Sequence, residues 1–152
     1  MRSLLLPLLL LLGACGGDGN SLSGSIGRTH ALAFDSVQVR RLAPAYTVAY
    51  LRGTGAAVET IARLAYTPPG AVTPGAALPL TFNNGGTAAI SRAAADRLSF
   101  PAGEGGTITF DSDPALNAGG GDVALSGRFA LRFTSGDTLS GEFSAPLVQA
   151  LP

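Results

Sequence analysis

Two stretches near the C-terminus alternate apolar and polar residues almost without exception, and they leave little freedom in how the chain folds. Val123, Leu125, Gly127, Phe129, Leu131 and Phe133 take alternate positions of the first, and Leu139, Gly141, Phe143, Ala145 and Leu147 take alternate positions of the second. Side chains on a strand alternate between faces with a period of two, so each stretch reads as a strand with one buried face. Ser135-Gly136-Asp137 supplies the turn between them. Pairing Phe133 with Leu139 sets Leu131 opposite Gly141 and Phe129 opposite Phe143, which keeps all apolar residues on one face. A slip by one residue would set Phe129 opposite Glu142, on the wrong face. In that pairing Glu142 lies opposite Ala130 and diagonal to Arg128 and Arg132, an exposed group contributing well under ~1 kcal/mol.

The rest of the chain, from Leu22 on, follows the same short pattern. Candidate strands are Leu22–Ile26, His30–Phe34, Val37–Leu42, Tyr46–Leu51, Ile61–Tyr66, Ala77–Phe82, Gly106–Phe110, Val123–Phe133 and Leu139–Leu147. Between them stand Thr67-Pro68-Pro69-Gly70, Asn83-Asn84-Gly85-Gly86 and Asn117-Ala118-Gly119-Gly120-Gly121. Ala56–Ala65 fits both helical and strand spacing, and Ser91–Leu98 reads as a short helical turn capped by Ser91. The expected fold is all-β: a single antiparallel β-sandwich of about eight strands over residues 22–152, with at most one or two short helical turns.

The amino terminus reads differently. Arg2 precedes an apolar run, Leu4 to Leu12, interrupted by Pro7. Nine helical residues span roughly 14 Å, far short of the ~30 Å hydrocarbon core, so the run is a secretory leader rather than a membrane anchor. It ends in Leu12-Gly13-Ala14-Cys15, and Cys15 is the one cysteine of the chain. This ending resembles the lipobox of bacterial lipoproteins: Leu, two small residues, then Cys. The resemblance implies residues 1–14 as signal peptide, a diacylglyceryl group on the Cys15 thiol, cleavage before Cys15 and acylation of the new amino group. Two or more acyl chains anchor stably where one does not. Gly16 follows the cysteine where an Asp would imply inner-membrane retention, so the resemblance points to the outer membrane, facing either the periplasm or the exterior. Gly16-Gly17-Asp18-Gly19-Asn20-Ser21 has no apolar content, and residues 15–21 are expected to be a flexible, disordered tether.

Cleavage would leave about 138 residues, a one-domain length. No disulfide can form within that chain, so packing alone must hold it. Removing Arg2 leaves nine Arg against ten acidic residues, with no Lys and no basic doublet beyond Arg40-Arg41. That charge pattern excludes nucleic-acid binding by the usual electrostatic route.

Several segments together resemble a class of small bacterial, myxobacterial-type outer-membrane lipoproteins of unknown function. They are Leu22-Ser23-Gly24-Ser25-Ile26-Gly27, His30-Ala31-Leu32-Ala33-Phe34, Gly105-Gly106-Thr107-Ile108-Thr109-Phe110, and the closing hairpin from Leu125 to Pro146. Members often carry extra cysteines, including one soon after the final Ala-Pro, whereas here Leu147 and Val148 follow Pro146. The resemblance implies an all-β fold and brings no catalytic residue with it.

The chemical candidates are few. His30 is the sole histidine, and Ser23, Ser25 and Ser36 near it stand in no Gly-x-Ser-x-Gly elbow. A zinc site lacks its second His or Cys. Asp111, Asp113, Asn117 and Asp122 form the densest run of oxygen ligands, a weak calcium candidate, although Pro114 and the missing Gly-then-Glu frame exclude an EF-hand. The bland reading is a turn in which Asp caps its own backbone. Asp35, Glu59, Glu104 and Glu142 are scattered carboxylates that a glycosidase would have to bring together. Tyr46, Tyr50 and Tyr66 read as core residues more readily than as a sugar platform. The glycine-rich loops precede no strand-then-helix phosphate cradle.

The function that follows is a non-enzymatic, lipid-anchored envelope protein with a structural or binding role. No cofactor is implied. The partners are the membrane, through the lipid, and an unidentified envelope protein or glycan. The alternatives are a calcium- or glycan-binding module at the Asp111–Asp122 loop, and a small hydrolase.

Overall fold

The computed structural model describes residues 15–16, 19–114 and 124–149. Ten strands account for most of them: β1 (Cys15–Gly16), β2 (Asn20–Ser23), β3 (Ser36–Leu42), β4 (Ala45–Arg52), β5 (Glu59–Tyr66), β6 (Leu78–Leu80), β7 (Ala88–Ala93), β8 (Gly103–Phe110), β9 (Ala124–Phe133) and β10 (Thr138–Gln149). The only helical pieces among the described residues are two 3₁₀ turns, Ser25–Arg28 and Gly55–Ala57. The all-β expectation therefore holds.

The layering differs from two separate sheets. The strands hydrogen-bond in one path, β6-β8-β9-β10-β3-β4-β5-β7, with β2 and then β1 branching from β10. Every pairing is antiparallel except β10 with β3. The two ends of the path meet in the turn from β6 to β7. There the Ala88 amide donates to the Thr81 carbonyl and the Thr87 amide to Thr81 Oγ1, both at 2.9 Å. The wall thus nearly closes into a barrel, and closure removes the open edges that a flat sheet would leave.

Strand β10 links the two halves. Of its twelve residues, Thr138 to Pro146 pair with β9 along one edge. Along the other edge they pair with β2 at Ser140–Glu142 and with β3 at Leu147–Gln149. Leu139, Phe143, Ala145 and Leu147 point inward and are buried, as the alternation requires. The interior is filled by aromatic side chains in edge or tilted contact. Phe34 meets Tyr50 at 5.0 Å between ring centroids, and Phe110 meets Phe143 at 6.0 Å and Tyr46 at 5.8 Å.

The closing hairpin forms with the expected faces but a register two residues away. Leu139 pairs with Leu131, Gly141 with Phe129, and Phe143 with Gly127. The Gly136 amide donates to Phe133 O at 2.9 Å, and Gly136 takes φ +86°. A three-residue loop ending in a left-handed glycine is therefore used instead of a longer one. The reason lies in side-chain volume. Across the ladder each large ring now faces a glycine rather than another ring. A Cβ on Gly141 would stand 2.6 Å from both Tyr50 Oη and Phe129 Cε1, and one on Gly127 would stand 2.7 Å from Phe143 Cζ. Glu142 accordingly lies opposite Arg128, not Ala130.

Other expectations need correction. His30–Phe34 is not a strand; it follows the Ser25–Arg28 turn as irregular chain. Ser91–Leu98 is not a helical turn. Its first residues continue β7, where Ser91 pairs with Arg63 and Ala93 with Thr60. Ala56–Ala65 resolves as strand from Glu59, and its mixed periodicity has a physical source. The β4–β5 ladder shifts between Tyr50 and Leu51, so Ile61 is an extra residue, and Ile61 and Ala62 are both buried. A bulge of this kind breaks the period of two. Asn20 and Ser21, placed in the tether by sequence, belong to β2, and Cys15–Gly16 pair with it. Asn20 is ordered by its own amide: Nδ2 donates to Ser144 O at 3.3 Å and Oδ1 accepts the Ser144 amide at 2.7 Å, copying a backbone ladder pair.

The glycine–aromatic fit gives a stability test. Gly141→Ala is expected to cost ~1–3 kcal/mol in urea unfolding, the usual range for overpacking. Combined with Phe129→Leu it should cost less than the two single changes together, because the smaller aliphatic side chain vacates the space. Strict additivity would show that Gly141 is not there to admit the ring.

Candidate functional site

The carboxylates, the histidine and the tyrosines singled out by sequence go to separate structural duties. Tyr46, Tyr50 and Tyr66 are all buried in the core. The Tyr50 hydroxyl donates to the Glu142 carbonyl at 2.7 Å across the interior. Burial, with the Glu142 charge adding to it, pushes this hydroxyl far above the ordinary phenol range, so it stays a neutral donor. Asp35 accepts the Gly53 amide at 2.7 Å, and Glu104 meets Arg132 at 2.7 Å on the surface. Asp111 accepts the Ser126 hydroxyl at 2.7 Å, while its amide donates to Ser126 O. These bonds tie Asp111, just past the end of β8, to Ser126 of β9 across the ladder, so its carboxylate serves a neighbouring strand rather than its own turn. Asp113 is half-buried nearby. Asn117, Asp122 and the Gly119-Gly120-Gly121 loop lie outside the described residues. Among the described residues no three metal-ligating side chains cluster.

His30 is buried at one end of the barrel. Its Nε2 lies 3.1 Å from Ser99 O and its Nδ1 lies 2.9 Å from Thr29 Oγ1. A carbonyl only accepts, so Nε2 carries a proton and donates to Ser99 O, while the Thr29 hydroxyl beside Nδ1 also reaches Ile26 O at 3.2 Å. Ser25, the nearest serine candidate, donates instead to Asp137 Oδ1 at 3.0 Å. Sequence reading missed the neighbour that organises this end, Arg92. Its guanidinium is fully covered, donates to Ala31 O and Ile61 O at 3.0 and 3.1 Å, and meets Asp96 at 2.5 Å. Phe100 lies between His30 and Arg92, with its ring centroid 5.2 Å from the His30 ring and 5.8 Å from the guanidinium carbon. Phe100 joins the group to the core, with its ring centroid 5.4 Å from that of Phe133. An arginine on the inward parity of a strand was invisible while Ser91–Leu98 read as helix.

Two grooved surfaces on the outer side of the described strands bear on function. The first crosses β8, β9, β10 and β2 on their outer side. Thr107, Ala130, Ser140 and Ser23 form one row across the ladders, and Thr109, Arg128, Glu142 and Ser21 form the next. Small hydroxyl side chains leave a shallow trough of about 320 Å³ there, with Arg128 and Glu142 side by side in it.

The second surface crosses β3, β4 and β5 on their outer side and holds a groove of about 490 Å³. Ala49 and Leu51 of β4 form its floor and are 7% and 9% exposed. Residues with this outward parity are covered because long neighbours lie over them. Gln38 and Arg63 flank Ala49 on the two adjoining strands, and Arg40 flanks Thr47. The β5 bulge places Thr60 and Arg63 on one face although they are three apart in sequence. Arg40 donates to Gln38 Oε1 at 3.1 Å, and neither Arg40 nor Arg63 meets a carboxylate among the described residues. Glu59, the acid of β5, is engaged on both carboxylate oxygens. It takes Arg52 at 2.8 and 2.5 Å on Oε2 and the Ala95 amide at 3.0 Å on Oε1. The sequence doublet Arg40-Arg41 is split by strand parity: Arg41 is half-buried, with its guanidinium 5.8 Å over the Tyr46 ring.

No family model, no curated protein and no solved structure matches this chain.

The pH response follows from the engaged acids. Hydrogen bonds from Arg52 hold Glu59 below the ordinary carboxylate range, Arg92 does the same for Asp96, and Ser135 and Ser25 do so for Asp137. A carboxyl depressed in the folded state stabilises fully above its unfolded pKa and loses that contribution as pH falls through the folded one. Stability is therefore expected to hold above the normal carboxylate range and to decline on acidification below it. Glu59→Gln with Asp96→Asn should flatten that decline in thermal melts between pH 6 and 3; an unchanged acid limb would contradict the assignment.

Proposed function

We propose that this chain is a lipid-anchored cell-envelope protein, held on the outer membrane through Cys15, with a non-enzymatic structural or binding role. The observation that carries the reading is the order of the amino terminus: a basic residue, the Leu4–Leu12 run, Gly13, Ala14 and then the sole cysteine. A thiol placed there and nowhere else suits acylation, since a peptidase and a transferase both need an extended, small-residue approach to it. The described part of the chain is consistent with a body carried by that anchor. The backbone of Cys15 pairs with Ser21 at the outer edge of the β10–β2–β1 branch. A lipid at this position would hang directly from the barrel wall rather than from a long tether.

The core supports a role in holding a surface rather than in performing chemistry within. The interior is packed with aromatic and aliphatic side chains, and the two grooves described above lie on the outer side of the strands. A body of this kind presents its outer wall to whatever it meets.

The expected behaviour is direct. The native protein should incorporate labelled palmitate, enter the detergent phase on phase separation, and show by intact mass an acylated residue 15 as its first residue. Cys15→Ser should take up no label and retain residues 1–14. An uncut and unmodified amino terminus on the native protein would overturn the reading.

A further inference from the structure

We infer that the outer face of β3, β4 and β5, with the adjoining end of β10, is a membrane-contact face that seats on anionic lipid headgroups. The inference rests on the lipid-anchor reading, because the anchor is what keeps the barrel beside a bilayer.

Three observations converge on this face. First, Leu42, Val58 and Val148 are 60%, 44% and 51% exposed, and they account for three of the four large hydrophobic residues that stand open among the described residues. Leu42 and Val58 border the groove, and Val148 pairs with Arg40 across the β10–β3 ladder. Large exposed apolar side chains gathered on one side of a small protein mark a contact surface. Second, Arg40 and Arg63 stand among them and meet no carboxylate among the described residues, and Glu59 is engaged by Arg52 and the Ala95 amide. Guanidinium groups beside apolar side chains are the composition of a surface that lies at a headgroup boundary. The apolar groups enter the outer acyl region and the arginines meet phosphates, often two oxygens at a time. Third, the face is next to the anchor. β2, which carries β1 and Cys15, and β3, which begins the face, lie along the same edge of β10. Their ladder stretches on that edge are centred seven residues apart, roughly 23 Å along the strand. A barrel tethered at β1 can lay this wall on the bilayer without turning round.

The chain contains no tryptophan, so a single introduced one reports cleanly. Val58→Trp would place it on the face, and Ala130→Trp would place a control on the exposed side of β9. The mature, processed protein carrying each reporter is reconstituted on vesicles of phosphatidylcholine alone or mixed with phosphatidylglycerol, both containing brominated acyl chains. On the anionic vesicles the residue-58 reporter should shift to the blue and be quenched, whereas the residue-130 reporter should not. Arg40→Gln with Arg63→Gln should abolish the quenching, as should high salt, which screens guanidinium–phosphate attraction. Both arginines are exposed, so folding is preserved, and unchanged melting curves check that.

Flotation with the vesicles and intact mass report the anchor separately. A protein that carries lipid and floats, but whose residue-58 reporter is unquenched, overturns the membrane-contact face and leaves the anchor standing. Quenching by anionic vesicles of a chain shown by mass to carry no lipid keeps the face and removes the anchor. A blue-shifted reporter without vesicles, together with a concentration-dependent dimer in sedimentation, overturns the inference in favour of a second copy of the chain. Equal quenching of both reporters overturns it too, because contact would then not be confined to this wall.

Discussion

The fold depends on one strand having room to serve two neighbourhoods. β10 must pair with β9 along one edge and with both β2 and β3 along the other, while its inner face passes beneath the largest rings of the core. Gly141 and Gly127 make this feasible. Neither takes a left-handed backbone, so their value is space rather than conformational freedom. The missing Cβ at 141 admits Phe129 and the Tyr50 hydroxyl together, and that hydroxyl then reaches the Glu142 carbonyl. A neutral buried hydrogen bond contributes about 1 kcal/mol net, but its position matters more. It ties β4, on the far side of the wall, to the middle of β10, so the two halves of the barrel share a fixed point.

The same volumes explain why the hairpin was legible in outline and not in register. Parity was certain because a one-residue slip would expose every apolar side chain. A two-residue slip keeps parity, and alternation cannot detect it. What decides it is whether a ring faces a ring or a gap, and sequence treats glycine as a weak strand residue rather than as the complement of phenylalanine. The bulge at Ile61 hid β5 in a comparable way. Two consecutive buried residues mimic helical spacing, and only the partner strands show that one of them is extra. Once β5 was uncertain, the outward placement of Arg63 beside Arg40 could not be foreseen. Arg40 itself was readable, because Val37 and Val39 alternate with Gln38 and Arg40.

The N-terminal segment shows how little apolar content a strand needs when its neighbour supplies the order. Asn20 replaces a ladder pair with its side-chain amide, and Ser25 accepts the Thr138 amide at 2.9 Å while donating to Asp137. Gly24 takes φ +144° and passes so close to Thr138 O that a Cβ would sit 2.2 Å from it. Composition marked the first of these residues as tether because it scores what a segment can bury, not what it can complete.

Charge is distributed over the barrel in a way that packing alone does not require. Arg28, Arg52, Arg92 and Arg132 each meet a carboxylate. Arg52 and Arg92 also fasten the turns around β5 and β7, and the acids they engage are held below the ordinary range. Leaving Arg40 and Arg63 open costs the fold nothing, since exposed ion pairs contribute at most about 1 kcal/mol. Nor does it gain the fold anything, while Leu42, Val58 and Val148 beside them leave apolar surface in water. Solubility alone would favour replacing those three with polar residues. A wall that keeps them, interleaved with positive charge that meets no carboxylate among the described residues and adjoining the edge that bears Cys15, fits the proposed counterpart outside the chain. The chemistry of that counterpart is negative charge over hydrocarbon, which a bilayer of anionic lipid presents at its surface.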